Sequence, residues 1–246
     1  MSQPARAARR VAFFGGSFDP PHRGHLAVAR AAQAALGLDA VLFAPVGAQP
    51  LKPRGSTAAF AHRAAMTRLA IAGDPGFELS LADEPRPSGQ PNYTIDTLLS
   101  LRAALPPSST LFCLMGADSL SALRRWHRAA EIPFLAPLIV ASRPSHFGWS
   151  PESLAAALPA GLLLEAPPQP EPAAPPAPAE LDLWRAVVRN SAGDRAPLYL
   201  LPGLDVEISA SQLRRRMRAS RADQPPPEDL LTPAVAAYIR AHRLYR

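Results

Sequence analysis

Short apolar runs of strand character alternate with segments of helical period along most of the chain. The run VAFFGG at 11–16 is followed by a helical pattern at 22–36, which Gly37 ends. The alternation continues with strands at 41–46, 77–83, 110–116 and 137–142 and helices at 59–73, 94–105 and 118–126. Because the connections are short, the strands are expected to be parallel and the helices to cover both faces of the sheet. The pattern predicts a doubly wound parallel α/β fold.

The alternation breaks after Arg143. Residues 166–178 contain seven prolines in thirteen positions, a composition that disfavours helices and central strands. We expect an irregular proline-rich insertion at about 145–195, with one helix at LDLWRAVVRN (181–190). The alternation then resumes with a strand at 197–203 and helices at 209–220 and 233–245. The prediction is one Rossmann-like domain over 1–246, interrupted by this insertion and completed by a small C-terminal helical part at about 204–246.

The chain has a formal net charge of +6, which favours anionic partners. Five arginines form the main basic cluster: Arg214, Arg215, Arg216, Arg218 and Arg221. A phosphate-rich small substrate accounts for this cluster as well as nucleic acid does. Lys52 is the only lysine of the sequence, which suggests that a compact ammonium group is needed at that position.

The sequence also indicates the compartment. A single cysteine, Cys113, excludes an internal disulfide framework and a cysteine metal cluster. No apolar run approaches the ~20 residues that span a bilayer, and the basic first segment lacks the apolar stretch of a signal peptide. We therefore expect a cytoplasmic protein that does not bind membranes. The sequence leaves the oligomeric state open, as monomer or homo-oligomer.

The stretch GGSFDPPHRGH at 15–25 has the features of a phosphate site. It follows the first strand, at the sheet edge where parallel α/β proteins bind ligands. Gly15 and Gly16 allow a ligand to approach the backbone closely. His22 and His25 lie three residues apart at a helix N-terminus, where free amides and the helix dipole favour anions. Two histidines do not make a complete metal site, and a third ligand at compatible spacing is not evident.

This stretch resembles, over its whole length, the G-x-F-x-P-x-H-x-G-H signature of the nucleotidyltransferases related to class I aminoacyl-tRNA synthetases. Its DPPH form is similar to that of the nicotinate-nucleotide adenylyltransferase family. The family's late motif I-S-S-T-x-I-R is matched by residues 208–214, ISASQLR, which depart from it at Ala210, Ser211 and Leu213. In this match Ser209 caps a helix and Arg214 binds phosphate oxygens.

Three further segments resemble elements of the same family. Residues 93–98, YTIDTL, look like the element that receives the nicotinate carboxylate at a helix N-terminus capped by Thr94. Residues 116–120, GADSL, and Trp126 look like the segment that binds the ribose and stacks on the pyridine ring. Lys52 matches a lysine near the substrate phosphates and Arg143 an arginine after the fifth strand, while Arg63 and the tail at 238–245 match positions in the family's helices. The resemblance covers about 11–143 and 197–245, but not the proline-rich segment.

The resemblance implies a transfer of the adenylyl group from ATP to nicotinate mononucleotide, with Mg²⁺ entering as the complex with ATP. It assigns the reaction to His22, His25, Lys52 and Arg214. It assigns ATP to Gly15, Gly16, Ser17, Phe18, His22, His25, Ile208, Ser209 and Arg214. It assigns nicotinate mononucleotide to Lys52, Tyr93, Thr94, Thr97, Gly116, Asp118, Trp126 and Arg143.

Three alternatives stay open. A related nucleotidyltransferase would use another phosphate acceptor, such as nicotinamide mononucleotide or phosphopantetheine. A non-catalytic nucleotide-binding regulator is supported by the altered motif at Ala210 and Ser211. A nucleic-acid binder, favoured by the arginine cluster alone, would lose affinity steeply with added salt. The family resemblance implies no nucleic-acid partner.

Overall fold

The computed structural model of the protein describes residues 7–52, 55–142, 150–178, 181–204, 209–219 and 229–246. Within these residues one sheet contains nine strands: β1 (Arg10–Gly16), β2 (Ala40–Pro45), β3 (Phe77–Leu79), β4 (Thr110–Gly116), β5 (Leu138–Ala141), β6 (Leu162–Leu164), β7 (Gln169–Pro170), β8 (Trp184–Asn190) and β9 (Arg195–Leu201). The α-helices are α1 (Arg23–Leu36), α2 (Phe60–Ile71), α3 (Thr94–Ala104), α4 (Ala117–Leu123), α5 (Ile132–Leu135), α6 (Pro151–Ala157), α7 (Ala210–Ala219) and α8 (Pro233–Ala241).

The strand order is β3-β2-β1-β4-β5-β9-β8-β6, with β7 paired to β8. The first six strands of this order are parallel. The chain moves outward from β1 in one direction to β2 and β3, and in the other to β4 and β5. The order therefore reverses between β1 and β4, and such a switch point opens a crevice at the carboxyl ends of the strands. The predicted doubly wound α/β fold is confirmed.

Both faces of the sheet are covered, because alternate residues of each buried strand enter different cores. In β1, Ala12 and Phe14 belong to a core formed with α1, α2, α7 and α8. Val11 and Phe13 belong to the opposite core, formed with α3, α4, α5 and α6. Burial on both sides explains why the strand sequences read as continuous apolar runs instead of alternating ones.

The segment at 145–195 differs from the expectation of an irregular insertion. It contains α6 and the strands β6, β7 and β8, and the predicted helix at 181–190 was wrong because 184–190 is strand β8. Ala186 and Val188 are buried while Arg185 and Arg189 are exposed, a period of two that fits a strand with one covered face. β8 pairs antiparallel with β9 and so extends the parallel sheet. The division of the chain into domain and insertion stays a prediction.

The sequence of the turn between β8 and β9 indicates a β-hairpin, which the predicted helix at 181–190 did not take into account. Asn190 and Asp194 close it, the Asn190 side chain accepting a hydrogen bond from the Asp194 backbone N–H at 2.9 Å. Gly193 adopts a φ of +91°, which side-chain-bearing residues avoid. The sequence N-S-A-G-D therefore encodes a hairpin turn, and a hairpin needs strands on both sides.

The proline-rich segment at 166–178 lies against the C-terminal end of α1. The Ala174 backbone N–H donates to the Ala35 carbonyl at 2.8 Å, and the Glu171 N–H donates to the Leu183 carbonyl at 2.8 Å. Since His22 caps the N-terminus of α1 and His25 lies in its first turn, the proline-rich segment contacts the end of the helix opposite to the two histidines. Among the described residues, no helix is both long and apolar enough to cross a membrane.

Candidate active site

A cleft of about 860 Å³ opens at the carboxyl ends of β1, β4 and β5. Its lining includes most of the residues that the sequence analysis assigned to substrates: Gly15, Gly16, Ser17, Phe18, His22, His25, Lys52, Tyr93, Thr94, Gly116, Asp118, Trp126, Ser209 and Arg214. Thr97 is not part of the lining. Arg143 and Ile208, and Arg221 of the arginine cluster, lie outside the described residues.

The two glycines at the end of β1 are required by the aromatic rings beside them. A Cβ atom at Gly15 would lie 2.8 Å from the Phe13 ring, and one at Gly16 would lie 3.1 Å from the Phe18 ring. Such distances are shorter than van der Waals contact, so any larger residue would displace the rings. The glycines thus serve the packing of the phenyl groups beneath the cleft as well as the approach of a ligand to the backbone.

His22 and His25 stack on each other at the N-terminus of α1, with ring centroids 3.7 Å apart. Nδ1 of His25 accepts a hydrogen bond from the His22 backbone N–H at 3.2 Å. A ring nitrogen that accepts is unprotonated, so the neutral His25 ring has its proton on Nε2. The first turn of α1 contains no acidic residue. The cleft is therefore lined by two imidazoles at the positive end of the α1 helix dipole, a set of groups suited to an anion.

Lys52 and Arg214 add positive charge to the same cleft. Nζ of Lys52 donates to the Ser17 hydroxyl at 2.9 Å, and that hydroxyl donates to Oε1 of Gln49 at 3.2 Å. Partial burial, and then the nearby Arg214 guanidinium, lower the pKa of Lys52. Two cations that repel each other across a cleft are stabilised by an anion bound between them. Gln49 was not anticipated from the sequence, because a glutamine in a loop carries no signal of its own.

Arg214 is oriented by two hydrogen bonds. Its Nη1 donates to the Asp19 carbonyl at 2.6 Å, and its Nη2 donates to the Ser211 hydroxyl at 3.2 Å. Ser211 is one of the positions where this chain departs from the family motif. The hydroxyl that supports the arginine is nevertheless present there.

Arg63 lies directly beneath the cleft and is only 2% exposed. Its guanidinium donates to three backbone carbonyls, those of Ala58 at 3.1 Å, Ser17 at 2.7 Å and Val46 at 2.7 Å. Burial is the main reason that its pKa is lowered. The residue joins the start of α2, the end of β2 and the glycine-rich stretch. The sequence matched it to a family position but gave no indication of these contacts.

The other end of the cleft is formed by aromatic and polar groups. Tyr93 is the N-cap of α3, so Thr94 is its first helical residue and not the cap that was expected. The Tyr93 ring lies over the His127 ring, with centroids 4.4 Å apart. Trp126 and Asp118 line the cleft beside them. A flat ring with an anionic group would meet aromatic faces and the amides of a helix N-terminus at this end.

Asp83 is a buried carboxyl group that the sequence analysis did not identify. It is 4% exposed, lines the cleft and accepts a hydrogen bond from the Thr97 hydroxyl. The side chain of Thr97 therefore supports Asp83 from behind the cleft wall. Burial raises the pKa of Asp83 to about 6, although the Thr97 hydrogen bond opposes the rise.

This pKa makes the stability of the fold depend on pH. The ordinary pKa of the group is 3.8, so between about pH 4 and pH 6 the folded protein holds a proton that the unfolded chain has lost. Stability contributed by the protonated group is therefore lost as the pH rises through this range. We expect Asp83→Asn to remove this loss. The free energy of unfolding of the variant minus that of the wild type should therefore be larger at pH 7.5 than at pH 4, by up to ~3 kcal/mol.

Denaturant unfolding of both proteins at the two pH values measures the difference. Asp182→Asn is the control, since Asp182 is exposed and the substitution removes the same charge. An Asp83→Asn variant whose relative stability is the same at pH 4 and pH 7.5 would show that the buried carboxyl does not titrate in this range.

Among the described residues, no group of three or more His, Cys, Asp or Glu side chains has a geometry that could hold a metal ion. Of the carboxyl groups that line the cleft, Asp19 and Asp83 already accept hydrogen bonds from the protein.

Comparison with known proteins places the chain among nucleotidyltransferases. The cytidylyltransferase-like family model matches residues 13–216. A probable nicotinate-nucleotide adenylyltransferase of Chromobacterium violaceum is 37% identical over 243 residues, covering 96% of this chain and 99% of the relative. Another, of a Roseiflexus species, is 37% identical over 237 residues, covering 96% and 98%.

Solved structures share the fold. A Plasmodium falciparum nicotinic acid mononucleotide adenylyltransferase complexed with NaAD superposes with a TM-score of 0.65 at 17% identity, covering 96% of this chain and 97% of that one. A structure of a similar enzyme from Vibrio parahaemolyticus has a TM-score of 0.51 at 14% identity, covering 93% and 97%. At these identities the likeness concerns the fold alone.

Proposed function

This chain belongs to the cytidylyltransferase-like family and, within it, to the nicotinate-nucleotide adenylyltransferases, and we propose that it transfers the adenylyl group of ATP to nicotinate mononucleotide. The products are nicotinate adenine dinucleotide and pyrophosphate, and the step belongs to NAD biosynthesis. The observation that carries the proposal is the cleft itself. It brings the α1 N-terminus, Lys52 and Arg214 together with the α3 N-terminus and Trp126.

The reaction is an in-line substitution at the α-phosphorus of ATP. An oxygen of the mononucleotide 5′-phosphate forms the new bond to phosphorus, and the bond to the oxygen that bridges the α- and β-phosphates breaks. This nucleophile is already anionic at neutral pH, so the protein need not supply a general base. The main work of the site is to hold the two phosphates in line and to stabilise the charge on the α-phosphate oxygens.

His22 and His25 are the groups assigned to the α-phosphate. Their position at the α1 N-terminus supports this role, since the positive end of the helix dipole favours the same charge. Nε2–H of His25 is the donor, because Nδ1 of that ring accepts from the His22 backbone. The stacked arrangement limits rotation of both rings, so the donors are oriented before the substrate binds.

Arg214 and Lys52 are assigned to the remaining phosphates. Arg214, beside Ser209, binds the β- and γ-phosphates, and its hydrogen bonds to Asp19 and Ser211 support a fixed orientation. Lys52 aligns the attacking phosphate. Its lowered pKa supports this role, because a cation held in an unfavourable environment gains from a bound anion.

At the other end of the cleft, the backbone amides at the start of α3 receive the nicotinate carboxylate. Trp126 stacks on the pyridine ring, and Asp118 accepts hydrogen bonds from ribose hydroxyls. Tyr93 and Thr94 shape this end of the cleft. Thr97 contributes indirectly, through its hydrogen bond to Asp83.

Mg²⁺ is proposed to enter as the complex with ATP. The ion prefers oxygen ligands and water, and the triphosphate supplies the oxygens. The hydrogen bonds that Asp19 and Asp83 already accept from the protein support this assignment. The protein's part is then to bind the magnesium–ATP complex through its own cations.

Pyrophosphate release from ATP and Mg²⁺ tests the function. Purified protein is supplied in parallel with nicotinate mononucleotide, nicotinamide mononucleotide and phosphopantetheine. We expect strong turnover with the first and little with the others, and loss of turnover when EDTA removes Mg²⁺. Preferred turnover with either of the other acceptors would instead indicate the related transferase. Tight ATP binding without turnover on any acceptor would indicate the non-catalytic regulator.

A further inference from the structure

Tyr245 reaches a buried carboxylate in the glycine-rich stretch. Its hydroxyl donates to Oδ1 of Asp19 at 2.7 Å, although the two residues are 226 positions apart in the sequence. Tyr245 is 5% exposed and Asp19 is 2% exposed, so the contact is shielded from water. The backbone of Tyr245 has a φ of +63°, a conformation that residues with side chains seldom adopt. The chain therefore accepts an unfavourable backbone conformation at the residue that makes this contact.

The Asp19 carboxylate holds several parts of the cleft together. Its Oδ2 accepts from the Thr57 backbone N–H at 2.6 Å, and its Oδ1 accepts from the Ala58 N–H at 3.1 Å. The Asp19 carbonyl accepts from Nη1 of Arg214 at 2.6 Å, while the same Nη1 lies 3.9 Å from the carboxylate Oδ2. Arg214 is thus bonded to the backbone of Asp19, with the charged side chain of Asp19 close by.

This arrangement places Tyr245 and Arg214 in competition for one carboxylate. The tyrosine hydroxyl and two backbone amides supply the hydrogen bonds that the buried Asp19 needs. Burial, and the charge of Asp19, keep the pKa of Tyr245 well above its usual value, so the hydroxyl remains a donor. Without that donor, Oδ1 of Asp19 would keep only the Ala58 amide, and the carboxylate, whose Oδ2 lies 3.9 Å from Nη1 of Arg214, would lack one of its hydrogen bonds. The guanidinium would then move toward the carboxylate and away from the cleft.

We propose that Tyr245 is a positioning residue whose hydroxyl satisfies the Asp19 carboxylate and so keeps Arg214 directed at the triphosphate of ATP. The inference rests on the proposed function, because it takes Arg214 as the ligand of the β- and γ-phosphates. It assigns a role in substrate binding to a residue that does not itself line the cleft.

The variant Tyr245→Phe removes only the hydroxyl and tests the proposal. We expect the KM for ATP, and the dissociation constant of ATP measured without acceptor, to rise about tenfold, since the lost bond involves a charged acceptor. The KM for nicotinate mononucleotide and the affinity for AMP should stay unchanged, because neither ligand has the β- and γ-phosphates. Tyr238→Phe is the matched control, since Tyr238 lies on α8 and its hydroxyl forms a hydrogen bond with His62 of α2 at 3.0 Å, not with Asp19.

A double-mutant cycle with Arg214→Ala identifies the route of the effect. If Tyr245 acts through Arg214, the substitution Tyr245→Phe should change ATP affinity little in the Arg214→Ala background. An unchanged ATP affinity in Tyr245→Phe would overturn the proposal. A lower melting temperature together with equal rises in the KM values for ATP and nicotinate mononucleotide would also overturn it, since that pattern indicates a structural role alone. A wild type that binds ATP but does not turn over would contradict the proposed function, while the comparison of ATP with AMP would still test Tyr245.

Discussion

Replacing His25 by alanine is expected to lower kcat for adenylyl transfer by ~10²–10³, the usual cost of losing one preorganised donor to a developing charge. The ring is held by the His22 backbone N–H and by edge contact with Phe18, whose centroid is 4.9 Å away. These contacts orient Nε2–H before the substrate arrives. A smaller side chain leaves the fold intact, because His25 lies at the mouth of the cleft and is only half-buried.

Steady-state turnover and thermal unfolding of the purified variant check this expectation together. His242→Ala is the control, since that histidine is exposed and lies after α8, outside the cleft lining. His25→Ala with wild-type turnover would remove His25 from the mechanism. Loss of turnover accompanied by a large fall in melting temperature would instead indicate that the stacked pair of histidines mainly stabilises the start of α1.

Arg63→Met is expected to destabilise the fold by ~3–5 kcal/mol, because it leaves three buried carbonyls without their donor. Methionine keeps much of the volume of the arginine stem, so the loss comes mainly from hydrogen bonding. The three carbonyls belong to Ser17, Val46 and Ala58, which surround the floor of the cleft. We therefore expect turnover to fall even under conditions where the variant is folded.

Guanidinium chloride unfolding at pH 7.5 measures the effect. Arg68→Met offers a matched control, as Arg68 lies on the same helix α2 but is exposed. That substitution should change stability by less than ~0.5 kcal/mol. A loss below ~1 kcal/mol for Arg63→Met would show that the three carbonyls find water or other donors when the guanidinium is removed.

Much of the fold could be predicted from periodicity. The buried parallel strands have apolar runs, and the helices between them have turn residues at their ends. The segment 184–190 was misjudged because WRAVVR also permits a helical interpretation, whereas the hairpin turn that follows it and its pairing with β9 decide for a strand. β3 is shorter than the alternating pattern at 77–83, because the chain leaves the sheet after Leu79.

The candidate site, like the fold, could be predicted from the sequence only in part. Groups assigned to the substrates lie in short local motifs, so the sequence alone could propose His22, His25, Tyr93 and Arg214, all of which line the cleft. The residues that support these groups are far from their contact partners in the sequence. The contact of Tyr245 with Asp19, and the three carbonyls bound by Arg63, depend on tertiary packing, which has no local pattern. The environment of Asp83 likewise includes residues remote from it in sequence, such as Gly47, whose backbone N–H donates to the Asp83 carbonyl.

The proline-rich segment at 166–178 has a consequence for the unfolded state of the chain. Prolines restrict the conformations of an unfolded segment, so less conformational entropy is lost when the segment becomes ordered. Few contacts are then needed to hold it in place. Hydrogen bonds to the Ala35 and Leu183 carbonyls, and the burial of Leu183 in the core, fulfil that need. A long connection without a core of its own can thus be ordered at low entropic cost.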